Sequence, residues 1–393
     1  MDIYIKIDLF QFFISFKFLI ENVRFWGNDL ANINYKNDTC LRQKIICCFS
    51  SNNYCNMSKN LIINDENLDK KSMFLLKSKN EFETPQLFLT NVHFLNFYAI
   101  KEEIGWRSLI YCENTLKKIQ LVNFTILNFF FSHGLLYDKD SLTTIYQVID
   151  NITIKNAYIG NYSSILYRFN SNSSLIKIGL FSFKNSSFLA LNISNLTISY
   201  FNILPLNPTH HVFLFEFVFY SQLRVLGLNF ENNIDLSFCY VDSSLNLYIK
   251  GFSFSNVIYS KNSSFFALVN GSNTIFENGS FLLISNFKSS FFYCQNNSEL
   301  SLNYIQIIYF YGIFGNCSNS IISFYDAKFE TFKADYFMLL LKSNLTINNL
   351  NFSSSIFIQA AFYISDVRNL IYNKSWCITI TTPSFFFFSI KLF

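Results

Sequence analysis

The sequence predicts an all-β chain wound as a right-handed parallel β-helix: a solenoid of about eleven coils with three short strands in each. Three observations predict it. An eight-residue pattern (apolar, any, apolar, any, any, apolar, any, apolar) recurs eleven times, beginning at Leu87, Phe124, Ile152, Ile176, Leu196, Leu223, Leu247, Leu282, Leu300, Ile322 and Leu345. The residue before the third apolar position is Asn, Gly or Asp in eight of the eleven. A further apolar run closes most coils, near Phe188, Val212, Phe265, Phe291 and Tyr336.

Steps of two mark strand, because alternate side chains share a face. The middle step of three inserts one residue, which would turn the second strand inside out unless the chain bends there. The residues at that point are Asn91, Asn128, Asn156, Leu180, Tyr200, Gly227, Gly251, Asn286, Tyr304, Asp326 and Asn349. Asn, Gly and Asp tolerate positive φ best. The pattern therefore predicts a left-handed corner, with Asn91, Asn128, Asn156, Gly227, Gly251, Asn286, Asp326 and Asn349 as its structural column.

The runs NLTISYFNI (Asn195–Ile203) and SLNLYIKGFSFSN (Ser244–Asn256) resemble the repeats of the pectin-lyase-like superfamily of parallel β-helices. That resemblance implies a stacked Asn ladder along the corner. The phrases Phe94–Asn96, Phe183–Asn185, Phe230–Asn232 and Phe254–Asn256 look like repeats of large surface and adhesin β-helices. The competing solenoid is a leucine-rich repeat, whose period is similar. That repeat needs Asn three residues past the last apolar position, where only Asn233 stands, and it leaves the corner column unexplained.

The boundaries follow from the pattern. Residues 1–21 are apolar but punctuated by Asp2, Lys6, Asp8 and Lys17, and read as a signal-like segment or a first cap strand. Residues 22–84, more polar and Cys-rich, form the expected N-terminal cap; 85–380 carry the β-helix; 381–393 are a Phe-rich tail. No apolar run reaches the ~20 residues that a spanning helix needs.

Composition excludes several classes. The chain has 393 residues, 51% of them hydrophobic, so it is not disordered. A net charge of +4 without a Lys/Arg cluster argues against nucleic-acid binding. Eleven glycines leave little for phosphate-cradling loops, and no nucleotide or hydrolase motif appears. No cofactor or metal is expected. Cys40, Cys47, Cys48 and Cys55 have a spacing wider than zinc pairs use, so two cap disulfides of open connectivity are the natural reading, against reduced buried thiols. Cys294 and Cys317 lie about one coil apart and are expected as stacked neighbours, bonded in an oxidising compartment.

There are 17 N-x-S/T sequons where random ordering of this composition gives roughly 8. The excess suggests a glycosylated surface protein, although turns favour Asn and Ser for their own reasons. Catalytic material is sparse. Ser132-His133-Gly134 resembles a fragment of the polygalacturonase branch, without the N-x-D, D-D and R-I-K motifs that accompany it there. If the chain is an enzyme, His133, Asp138 and Asp140 are the candidate residues. The expected function is a non-enzymatic, extracellular or surface-displayed β-helix module, stalk-like or adhesin-like, with glycan or protein as partner. The alternative is a lyase or hydrolase of acidic polysaccharide.

Overall fold

The computed structural model describes residues 3–5, 12–14, 17–26, 72–76, 86–97, 108–113, 118–131, 134–139, 147–159, 176–184, 189–203, 210–218, 221–242, 246–259, 264–286, 289–366 and 369–389. The fold is an all-β parallel solenoid, and among the described residues there is no helix. From Ser221 to Ser389 the chain completes about seven turns, whose long strands begin at Ser221, Asn246, Asn273, Glu299, Ile321, Asn344 and Leu370. Each long strand pairs in parallel with that of the next turn, for example Leu302 with Phe324 and Phe324 with Ile347. Short strands such as Phe292–Gln295 and Gly315–Ser318 build a second parallel stack beside the first.

The same registers extend toward the N-terminus. Lys17–Trp26, Gln86–Phe97, Lys118–Phe131, Gln147–Ile159 and Leu189–Ser199 continue the long stack. Ser72–Leu76, Ser108–Glu113, Gly134–Lys139, Ile176–Lys184 and His210–Val218 continue the short one. Parallel strands therefore also occur N-terminal to residue 85. The segments joining these earlier strands lie outside the described residues.

Three expectations are corrected. The complete turns number about seven rather than eleven. The pattern at Ile176 does not open a coil at all: Ile176–Lys184 sits in the short stack, between Gly134–Lys139 and His210–Val218. Nor are there three short strands per coil. The first two are one long strand, bent without losing its pairing, and in two turns even the closing segment is continuous with it (Ile321–Leu341 and Asn344–Ser365).

The long strand bends twice, because left-handed residues fall five apart. The first corner stacks Asn22, Asn91, Asn123, Asn151, Asn195, Gly227, Gly251, Asn278, Tyr304, Asp326 and Asn349, all at positive φ. The second stacks Asn128, Asn156, Tyr200, Asn232, Asn256, Leu283, Tyr309, Thr331 and Ser354, also at positive φ. The single column read from the sequence is thus two. Asn91, Gly227, Gly251, Asp326 and Asn349 belong to the first, and Asn128 and Asn156 to the second. Asn286 closes its strand and has no positive φ; the bends of its coil are at Asn278 and Leu283. Both corners space apolar residues by three, so the apolar pattern alone does not distinguish them.

A third corner, at Asn270, Asn296, Asn319, Lys342 and Asp366, turns each short strand into the next coil. Inside it Ser272, Ser298, Ser320 and Ser343 are buried in a column. Their hydroxyls bond within the turn: Ser298 donates to the Gln295 carbonyl at 2.6 Å and Ser343 to the Leu341 carbonyl at 2.9 Å, while Ser272 donates to the Ser298 hydroxyl at 3.3 Å. At the second corner Asn233, fully buried, accepts from the Phe201 N–H at 2.8 Å and donates to the Ile198 carbonyl at 3.1 Å.

The abundance of Phe has its explanation in the core. Inward positions repeat once per turn, so rings stack at the inter-strand spacing of about 4.8 Å. Phe265, Phe291, Phe314 and Phe337 form one such column, with centroids 4.8, 5.9 and 5.1 Å apart. Phe310 and Phe332 stack at 4.7 Å, and neighbouring columns meet edge-on, as Phe329 meets Phe337. Offset stacks and edge contacts suit the ring quadrupoles.

A neighbouring inward column, Leu228–Phe252–Gly279–Ile305, is tight enough to predict a failure. At Gly279 an added Cβ would lie 2.4 Å from the Phe252 ring. Gly279→Ala should cost about 1–3 kcal/mol through overpacking. A urea midpoint equal to wild type would show that the ring has room to move.

Candidate functional site

The facet that leads into the first corner carries the best-formed polar arrangement. Because alternate residues face outward, register places Arg224, Tyr248 and Ile275 in one outward column, and Leu226, Lys250 and Glu277 in the next. Gln222, Asn246 and Asn273 form a third column beside them. Arg224, Tyr248 and Ile275, with Gln222, Asn246 and Asn273, line a groove of about 320 Å³ floored by Leu223 and Leu247.

Tyr248 is anchored at its hydroxyl and faced by a cation. The Arg224 guanidinium stands 5.6 Å from its ring centroid, within cation–π range. Its hydroxyl donates to Glu277 Oε2 at 2.5 Å, and Lys250 Nζ bonds the other carboxylate oxygen at 2.8 Å. The charges shift accordingly. The bonds from Lys250 and then Tyr248 hold the Glu277 carboxyl below its ordinary pKa. The bond to Glu277 raises Lys250, and the same carboxylate, more than burial, raises the Tyr248 phenol. The result is a fixed aromatic plate beside a guanidinium and three amides. Such a set can receive a flat, hydroxyl-bearing group with a negative substituent, since guanidinium matches carboxylate or sulfate bidentately.

These residues were not singled out from the sequence. Their signal is positional: Arg224 and Tyr248 are outward residues one turn apart, which emerges only once the register is known. The polar ladders were more legible. Asn91 donates to Asn22 at 2.8 Å, Asn123 to Asn91 at 2.8 Å, and Asn151 to Asn123 at 2.7 Å. Asn156 donates to Asn128 at 3.2 Å and Asn256 to Asn232 at 2.6 Å, along the second corner. Asn296 donates to Asn270 at 2.9 Å along the third.

The ladders account for much of the sequon pattern. In Asn123-Phe124-Thr125, Asn151-Ile152-Thr153 and Asn195-Leu196-Thr197 the Asn makes the corner, the apolar residue is buried, and the Thr lies on the outer facet. The side-chain nitrogens of Asn123, Asn151, Asn195, Asn270 and Asn296 donate to neighbouring coils. Asn192 and Asn316 are exposed sequon residues outside these ladders.

The remaining sequence candidates fall as follows. Cys294 and Cys317 are register partners in adjacent short strands, fully buried, with free thiols. The Cys294 thiol is pushed up by its hydrogen bond with Cys317 and by burial. Asp138 lies in the strand Gly134–Lys139, in register with Cys112 and Phe183. His133, Asp140 and the cysteines Cys40, Cys47, Cys48 and Cys55 lie outside the described residues. Among the described residues no group of three His, Cys, Asp or Glu is placed to hold a metal, and no helix is long and apolar enough to cross a membrane.

No protein-family model matches the chain, and no curated protein and no solved structure is significantly similar to it. The fold defines its class, the parallel β-solenoids.

Two measurements check this geometry. In an alkaline titration followed by NMR of ring-labelled tyrosine, with the Tyr248 signal assigned from its loss in Tyr248→Phe, Glu277→Gln should lower the pKa of Tyr248, because it removes the carboxylate that disfavours the phenolate. An unchanged titration would mean that the bond is not formed in solution. For the thiols, iodoacetamide should leave Cys294 and Cys317 unlabelled in the folded, reduced protein and label both in denaturant.

Proposed function

We propose that this chain is a non-enzymatic, surface-displayed binding rod that holds a glycan bearing a carboxylate or sulfate in the Arg224–Tyr248 groove. The observation that carries it is the pinned Tyr248 plate, whose ring meets a guanidinium that has no carboxylate partner among the described residues. A ring anchored through its hydroxyl loses little freedom when a sugar settles beside it, and such preorganisation favours affinity. The resemblance to adhesin-type and pectin-lyase-like β-helices supports the same reading, as do the exposed sequons at Asn192 and Asn316 outside the ladders. The enzymatic alternative rests on His133, Asp138 and Asp140, and no observation on the described residues favours it.

The purified chain should bind acidic glycans on an array, and Arg224→Ala should weaken that binding by roughly tenfold or more. The loss should grow smaller in high salt, where the charge contributes less. Release of unsaturated or shortened products from uronate-containing polysaccharide would sink the non-enzymatic reading. For the compartment, the mass of the native protein should fall on enzymatic removal of N-glycans, with Asn192 and Asn316 among the occupied positions. No fall in mass would end the surface assignment.

A further inference from the structure

One coil lacks Asn, Gly or Asp at both corners, whereas the coils on either side lack them only at the second, at Leu283 and Thr331. In the long strand Glu299–Tyr311 both corners are tyrosine: Tyr304 at φ 56° and Tyr309 at φ 56°. Directly beside Tyr309, one turn toward the N-terminus, the second corner is Leu283 at φ 54°. A bulky residue in the left-handed region is strained, whereas Asn or Gly is at ease there. The ladder is lost too: along the second corner Asn256 bonds Asn232, and then the amides stop at Leu283 and Tyr309. These side chains do not repay the strain by packing, since Tyr304 is 59%, Tyr309 56% and Leu283 54% exposed. Local strain, a missing hydrogen bond and an exposed ring at the same positions mark display rather than stability.

The facet between the two tyrosines tells what is displayed to. Its outward residues in this coil are Gln306 and Ile308, and toward the N-terminus Ser280 and Ser253 continue the Gln306 column. Ser255 lies in the column beside them. Gln306, Ser280 and Ser253 are neutral amide and hydroxyl groups; the column beside them carries the apolar Ile308 and Leu282 before Ser255, and charge begins only one coil further on, where Lys328 and Glu330 lie against Gln306 and Ile308. Aromatic rims around such a strip complement a molecule with apolar C–H faces and neutral hydroxyls. The strip lies across the first corner from the Arg224–Tyr248 groove and shares none of its residues.

We infer that Tyr304 and Tyr309 flank a second binding surface, which takes a neutral saccharide chain along the Gln306–Ser280–Ser253 strip. The inference rests on the reading of the chain as a binding rod and adds a ligand class that the groove does not serve.

The test is the double variant Tyr304→Asn/Tyr309→Asn, which installs the residue that both corners favour. Soluble neutral glucans, mannans and galactans are titrated against wild type and variant, with thermal melts alongside. Wild type should bind one of them, and the variant should bind it at least about tenfold more weakly while melting at the same temperature or higher. Equal binding overturns the assignment. A melting temperature several degrees lower also overturns it, because the tyrosines would then be structural. A concentration-dependent dimer, or pelleting with zwitterionic lipid vesicles, that the variant abolishes would name a second copy or a lipid surface instead. If acidic glycan still binds through Arg224 and no neutral glycan binds, this inference fails alone. If no glycan of either kind binds, the reading of the rod fails with it.

Discussion

Everything in this molecule depends on residues held at positive φ at the bends of a continuous strand. A strand that turned by any other means would either break its pairing or present its next apolar residue to water. A left-handed residue absorbs the one-residue offset, so the chain points Leu300 and Leu302, then Ile305 and Ile307, then Phe310 into the same core. Because the bend occurs at the same place in every turn, backbone pairing, ring columns and side-chain ladders come into register together. The long-range character of these contacts means that no turn is stable by itself, as in other solenoids.

The fold was legible in the sequence for that same reason. A period-two apolar pattern with a three-residue step has few physical solutions, and the concentration of Asn and Gly at the step selects among them. What could not be read was the phase. Asn91 and Asn128 look alike, yet they occupy different corners, because the apolar spacing around each is the same. Asn286 was drawn into the column by an apolar triplet whose first member, Leu282, faces outward. The pattern at Ile176 matched by composition alone, in a chain where an apolar residue at any position is common.

The candidate site was less legible. Function on a solenoid is assembled from residues about one turn apart, so Arg224, Tyr248 and Ile275 become neighbours only through register. The turns vary in length, and an error of one residue moves a side chain from the outer surface to the core. Tyr304 could be located at a corner, but what makes it unusual is its exposure, which no sequence pattern reports. The sequons show the reverse problem. They are visible in the sequence, but several arise because a corner Asn, a buried residue and an outward Thr are what the turn itself requires.

The ladders also have a direction. A carboxylate can only accept a hydrogen bond, and Asp242 accepts from Asn270, Asp326 from Asn349, and Asp150 from Asn195. In each case the acid stands on the N-terminal side, so the amide next to it must present its nitrogen that way, and Asn296 on Asn270 follows suit. Asp242 thus heads a run through Asn270 to Asn296, whereas at Asp150 the run is the single amide of Asn195, followed at the corner by Gly227. Aligned amides add their dipoles head to tail, as peptide units do along a helix. Each ladder thereby carries a local dipole with its amide nitrogens toward the N-terminal coils, written by side chains in a fold whose backbone groups bond sideways to the strands, and at Asp242 a carboxylate meets the positive end of that dipole.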